Sequence, residues 1–217
     1  MSTLYCQTVQ DEPLRTRAIL PKGLVEFFKL PITLGNPDDG VYPVKFSKRV
    51  VPVMQWQDGT VQEESIPIVL ALVEIAEGHS LLGDRSIQTR AQILQWMCQA
   101  NYELMVNVVP MLSMKIGRIE KNKAVFDKCS ALVDSFTARL ETHLSTNKYL
   151  IGENLTIADL YGATNYYRLF SLFYDKQWRE SHPKVTAWYV ECSRRGEFMG
   201  FFSTQALPDQ VEPLQFD

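Results

Sequence analysis

Apolar and polar positions follow two rhythms along the chain, and the change falls near Leu81 to Ile87. Before it, short apolar runs mix with helical spacing. Thr3-Leu4-Tyr5-Cys6 predicts a strand, and Ile19, Leu20, Leu24, Phe27 and Phe28 recur at helical intervals between Arg17 and Lys29. Pro21 lacks an amide hydrogen, so that helix is expected to begin near Pro21 or to have an irregular first turn. Pro31 to Leu34 predicts a second strand, and Gly35 to Lys48 a loop. Val50 to Gln57 and Thr60 to Glu63 flank Asp58-Gly59, the dipeptide favoured in a two-residue type I′ hairpin. Ser65 opens a helix running to about Glu77, with Pro67 in its first turn and Gly78 beyond its end.

Beyond Ile87 the pattern is helical, with helices predicted near 88–112, 122–145, 157–174 and 183–195. Ile93, Met97, Ala100 and Leu104 form one apolar stripe, and Val125, Cys129, Leu132, Phe136 and Leu140 another. Leu155-Thr156-Ile157-Ala158-Asp159-Leu160 is a full helix-start signature. Thr156 and Asp159 are spaced to cap each other's amides, and Leu155 to pack on Leu160. From Ser203 the tail, with Pro208 and Pro213, reads as irregular chain draped over the surface. The pattern divides the chain into an α/β domain over 1–80 and an all-α domain over 88–217.

Composition narrows the chemistry. The chain has 217 residues, 46% apolar and 22% charged, so it is globular. Lys plus Arg is 22 and Asp plus Glu 25, a net charge of −3 without long runs of one sign, which disfavours nucleic acid or anionic lipid as a partner. The N-terminus lacks the apolar stretch of a signal peptide, and the longest apolar run, Ile66 to Val73, is short of the roughly 20 residues that span a bilayer. Cys6, Cys98, Cys129 and Cys192 are far apart and form no cluster with histidine, so no metal site is expected. The chain reads as a soluble, reduced, cytoplasmic protein. Phosphate-binding glycine loops and dinucleotide fingerprints are absent from the sequence.

The order of elements is that of a thioredoxin-like domain followed by helices, and the motifs resemble the glutathione S-transferase superfamily over essentially the whole chain. The resemblance is carried by Val51-Pro52 before the hairpin, Glu64-Ser65 at a helix start, the run Leu150 to Leu160, and His182-Pro183 followed by Trp188-Tyr189. Within that superfamily the chain is similar to the transferase-like N-terminal domain of the elongation factor 1B gamma subunit. This likeness rests on Pro21 to Val25, on Ala91 to Trp96 with Ala100-Asn101, and on Gln177 to Pro183. Gamma subunits continue into a Lys-rich linker and a second domain. The resemblance therefore implies a stand-alone relative of the kind found in fungi, some in gene clusters for specialised metabolites.

The resemblance implies glutathione as co-substrate, and the residues can be read against its chemistry. A peptide-like dianion needs backbone pairing, carboxylate recognition and a stabilised thiolate. Val51 before a cis Pro52 would offer its backbone to the extended ligand; the alternative is an ordinary trans Val-Pro at a strand edge. Ser65, at a helix N-terminus, would hold the γ-glutamyl carboxylate, and Glu64 the α-amino group. The alternative is a plain Ser cap beside an exposed Glu. For the thiolate, superfamily enzymes use Ser, Tyr or Cys at the start of the first helix, and this chain has none of these between Thr8 and Arg17. Thr16 is the candidate hydroxyl by position, Thr8 the second, and Arg15 or Arg17 the candidate cation, against a surface or capping role for each. Superfamily enzymes often place a basic residue two positions before the proline, where this chain has Val50, with Lys48 and Arg49 just upstream. An apolar co-substrate would lie between the halves, against Tyr102, Met105 and Val109.

Two functions follow. The first is an enzyme, a homodimer, that adds glutathione to a small electrophile or removes it. The second is a non-catalytic scaffold that holds elongation factor 1B subunits.

Overall fold

A computed structural model describes residues 1–6, 16–37, 51–76, 80–194 and 207–216. Among these, four strands form one mixed sheet in the order β2-β1-β3-β4: β1 (Ser2–Tyr5), β2 (Ile32–Gly35), β3 (Val53–Gln55) and β4 (Val61–Gln62). β1 and β2 are parallel, with Leu4 opposite Leu34, and are joined through α1 (Thr16–Phe27). β3 runs antiparallel to both β1 and β4. α2 (Ser65–Ile75) follows the hairpin, and Leu4, Met54, Ile68 and Leu72 meet in the core between helices and sheet.

Two local expectations are corrected here. α1 runs through Pro21, starting at Thr16. The missing amide forfeits one bond to the Arg17 carbonyl, but Ala18, Leu20, Leu24 and Val25 are buried along this helix, which packs against α2. Tertiary burial overrides the local rule. The hairpin is not type I′, which needs positive φ at both central residues. Only Gly59 has it, at 86°; the Trp56 amide donates to the Thr60 carbonyl and the Asp58 carboxylate accepts from the Thr60 amide at 2.8 Å. The result is a three-residue loop with glycine at the left-handed position.

The helical half begins after a short turn at Ser80–Leu82 with α3 (Ile87–Gln99), then α4 (Val106–Lys115), α5 (Lys123–Leu144), α6 (Ile157–Leu172), α7 (Lys176–Ser181) and α8 (Pro183–Arg194). α3 and α4 are one rod joined by a π-helical stretch, Ala100–Met105. The wider turn shifts the buried phase from Ile93, Met97, Ala100 and Leu104 onto Met105, Val108 and Met111. On α5 the buried stripe is Cys129, Val133, Phe136 and Leu140, while Val125 and Leu132 face outward. The expected stripe thus differs by a rotation of one position at Leu132. α7 was not foreseen: it is six residues long, buries none of them, and depends on the Asp175 carboxylate accepting from the Trp178 amide at 2.8 Å.

α6 is the axis of the molecule. Every residue from Ile157 to Tyr166 is buried, and the helix packs on α1, α3 and α8. Over this stretch the helix has no solvent face and so no amphipathic pattern. Its start is fixed by the expected capping box, with the Thr156 amide donating to Asp159 Oδ2 at 2.9 Å. The tail lies along the far end of the helices. The Arg179 guanidinium donates to the Pro208 carbonyl at 2.6 Å, the Lys115 ammonium to the Glu212 carbonyl, and the Phe216 ring meets Phe126 edge-on.

Candidate functional site

The sheet brings the C-terminal end of β1 beside the start of β3, with Tyr5 opposite Val53. Just before Val53 the Val51–Pro52 bond is cis; Pro52 is buried and Val51 half-buried. Cys6, at the end of β1, is fully buried, and burial pushes its thiol up to about 11, so it is no nucleophile at neutral pH. Thr16, the first residue of α1, is 1% exposed. Thr8, Arg15, Lys48, Arg49 and Val50 lie outside the described residues.

At the start of α2 the backbone is unusual. Glu64 has φ 70° and ψ 131°, outside the regions that side chains with a Cβ favour. Such a conformation costs on the order of 1–3 kcal/mol and points to a functional constraint. Ser65 follows as the first helical residue, where backbone amides lack intrahelical acceptors and the helix dipole favours negative charge. The cap position belongs to Glu64, whose side chain makes no capping bond. The Ser65 hydroxyl, 2% exposed, shares a 2.8 Å hydrogen bond with the Tyr161 hydroxyl of α6.

Two further groups surround this bond. Burial pushes the Tyr161 hydroxyl up to about 12, partly offset by the Ser65 bond and by the nearby Arg17 guanidinium, while Glu64 and Cys98 add to the rise. Arg17 is half-buried, and its Nε is sealed from solvent with no hydrogen-bond partner among the described residues. Arg17, Glu64, Ser65 and Tyr161 therefore form one constellation at the junction of α1, α2 and α6. Tyr161 was missed from sequence. The available signal was a tyrosine one turn past the Thr156–Asp159 capping box, whose hydroxyl has to find a partner once that helix is buried.

The expected apolar wall does not share one face. Tyr102 is 67% exposed, Met105 is in the core and Val109 is half-buried. Among the described residues no group of His, Cys, Asp and Glu could hold a metal ion, and no helix is long and apolar enough to cross a membrane.

Comparison with known proteins places this geometry. Residues 99–196 match the family described as "Glutathione S-transferase, C-terminal domain". The crystal structure of the GST-like domain of elongation factor 1-gamma from Saccharomyces cerevisiae superimposes with a TM-score of 0.84 over 99% of both chains, at 26% identity. The helical half of this chain is a glutathione S-transferase C-terminal domain, and the chain as a whole is similar to members of that superfamily. It has the transferase fold, a small four-stranded mixed sheet followed by a helical domain. A Saccharomyces cerevisiae protein named as an elongation factor 1 gamma homolog is 28% identical over 98% of either chain. The glutathione S-transferase-like protein LUC7 of a Fusarium species is 28% identical over 77% of either.

Within the transferase fold, the Asp159 carboxylate joins the core of the helical half. Its Oδ1 accepts from the Leu150 amide at 2.8 Å and from the Trp188 indole at 3.0 Å, and its Oδ2 from the amide and hydroxyl of Thr156. Two residues further on, α6 presents Tyr161 to the α/β half.

Proposed function

We propose that this chain binds glutathione beside the starts of β3 and α2 and joins it to, or removes it from, a small electrophile. The supporting observation is the start of α2. A strained Glu64 and a buried Ser65 with a second hydroxyl beside it form a place for a carboxylate at a helix N-terminus. Val51 pairs the peptide backbone of the ligand, Ser65 holds the γ-glutamyl carboxylate and Glu64 its ammonium. The thiol, with an ordinary pKa near 8.5, becomes the nucleophile when a donor stabilises its thiolate. Thr16 supplies that hydroxyl, with Arg17 as the neighbouring cation. The thiolate sulfur bonds to the electrophilic carbon, the leaving group departs with the electron pair, and the thiol proton goes to solvent.

In this reading the protein is cytoplasmic and dimeric, with a second copy covering α3, where Ile87, Ala91 and Leu94 are exposed along one side. Its electrophile is an intermediate of specialised metabolism. Calorimetric titration with glutathione is expected to show binding that Ser65→Ala weakens at least 10-fold, since a bond to a charged group is removed. Turnover of chlorodinitrobenzene is expected to fall in Thr16→Val. No binding by the wild-type chain would refute the proposal.

A second reading, a scaffold for elongation factor 1B subunits, draws on the end-to-end likeness to the gamma-type domain. Immobilised protein would then retain elongation factor subunits from a cell lysate, and their absence would remove it.

A further inference from the structure

The hydrogen bond between Ser65 and Tyr161 joins two hydroxyls, and two hydroxyls carry two hydrogens. One hydrogen makes the 2.8 Å bond. The other has no acceptor among the described residues, although Ser65 is 2% and Tyr161 3% exposed. Buried donors left in this way are destabilising, so the arrangement calls for an acceptor from outside.

The polarity of the bond decides where that acceptor goes. If Ser65 donates to Tyr161, the serine presents only lone pairs toward the free amides of α2, and an arriving anion meets repulsion. If Tyr161 donates to Ser65, the serine hydrogen is released toward the helix N-terminus, alongside the amides that already favour negative charge. A carboxylate there selects the second polarity and completes a chain from Tyr161 to Ser65 to ligand. Each bond in such a chain polarises the next. Burial holds Tyr161 protonated far above neutral pH, so its donor hydrogen is always available.

We propose that Tyr161, from the helical half, is a positioning residue that fixes the Ser65 hydroxyl as donor to the γ-glutamyl carboxylate. This rests on the glutathione reading above. Its role is distinct from that of Ser65, because Tyr161 is not required to touch the ligand.

Calorimetric titrations of wild type, Tyr161→Phe, Ser65→Ala and the double variant separate the possibilities, with γ-aminobutyryl-cysteinyl-glycine, which lacks the carboxylate, as second ligand. Tyr161→Phe is expected to weaken glutathione binding about 5- to 10-fold, the scale of one hydrogen bond. It should do nothing further in the Ser65→Ala background and should leave the affinity for the ligand without the γ-glutamyl carboxylate unchanged. Equal glutathione affinity in wild type and Tyr161→Phe, or equal weakening toward both ligands, would overturn the assignment. The second result is what general loosening of α6 would produce. A wild-type chain that binds no glutathione removes the underlying reading instead, and that result is distinguishable because it precedes any comparison of variants.

Discussion

Replacing Asp159 by alanine tests how the helical half is held together. The carboxylate is fully buried and accepts four hydrogen bonds, at 2.8 Å from the Leu150 amide, 2.9 Å from the Thr156 amide, and 3.0 Å from both the Thr156 hydroxyl and the Trp188 indole. The Thr156 hydroxyl can rotate to another acceptor. The other three donors are fixed by backbone or ring, and each stranded donor costs about 1–3 kcal/mol. An offset exists, because burial pushes the carboxyl pKa upward even against these four donors. Carrying the charge inside is therefore unfavourable, and deletion returns that part. The expected net loss is about 3–5 kcal/mol, a large share of the roughly 5–15 kcal/mol of a typical domain.

Urea unfolding followed by tryptophan fluorescence measures the loss, with the buried Trp188 as a reporter inside the affected region. Asp159→Asn keeps one acceptor oxygen and should lose less than alanine. A loss below about 1 kcal/mol for Asp159→Ala would refute the reasoning, since water or other groups would then be satisfying the three donors.

Two further outcomes follow from burial. Tyr161 is pushed up to about 12, and Tyr166, Tyr174 and Tyr189 are likewise raised by burial, above an unfolded value near 10. The folded state thus keeps protons that the unfolded chain releases, so this stability is full below about pH 10 and is lost as the pH rises through the folded values. With about 1.4 kcal/mol per pH unit for each group, unfolding should accompany the appearance of tyrosinate absorbance; gradual titration of all four in a folded chain would contradict this. Gly162→Ala would place a Cβ 3.1 Å from the Trp188 ring, which its bond to Asp159 holds in place. A destabilisation of about 1–2 kcal/mol is expected in urea, against the usual helix preference for alanine, and a stabilised variant would show that Trp188 can shift.

Features set by neighbours in sequence were legible, and those set by tertiary partners were not. The Thr156–Asp159 box was readable because donor and acceptor sit three residues apart on one turn. Glu64-Ser65 at a helix start was readable for the same reason. Pro21 misled because its local cost is fixed while the burial that offsets it comes from α2 and α6. Leu132 misled because Val133 beside it is equally apolar, and only the packing of α5 chooses between them. The π-helical turn at Ala100–Met105 leaves no distinct residue signature. Tyr161 and Ser65 are separated by 96 positions, and no periodicity links them.

That long-range bond changes how the two halves relate. α6 carries the Asp159 nest and, two residues later, Tyr161, so the group that sets Ser65 is placed by the folding of the helical half. α1 reinforces this, since it packs on both α2 and α6 and brings Arg17 to the same junction. The start of α2 is therefore a composite of both halves. An isolated α/β half would keep the Glu64-Ser65 sequence but lose the partner that orients Ser65. Linkage requires the converse as well. A ligand that engages the Ser65 hydroxyl backed by Tyr161 stabilises the native state by about 2.7 kcal/mol at 100 times its dissociation constant, and part of that protection should extend across the junction to the amides of α6.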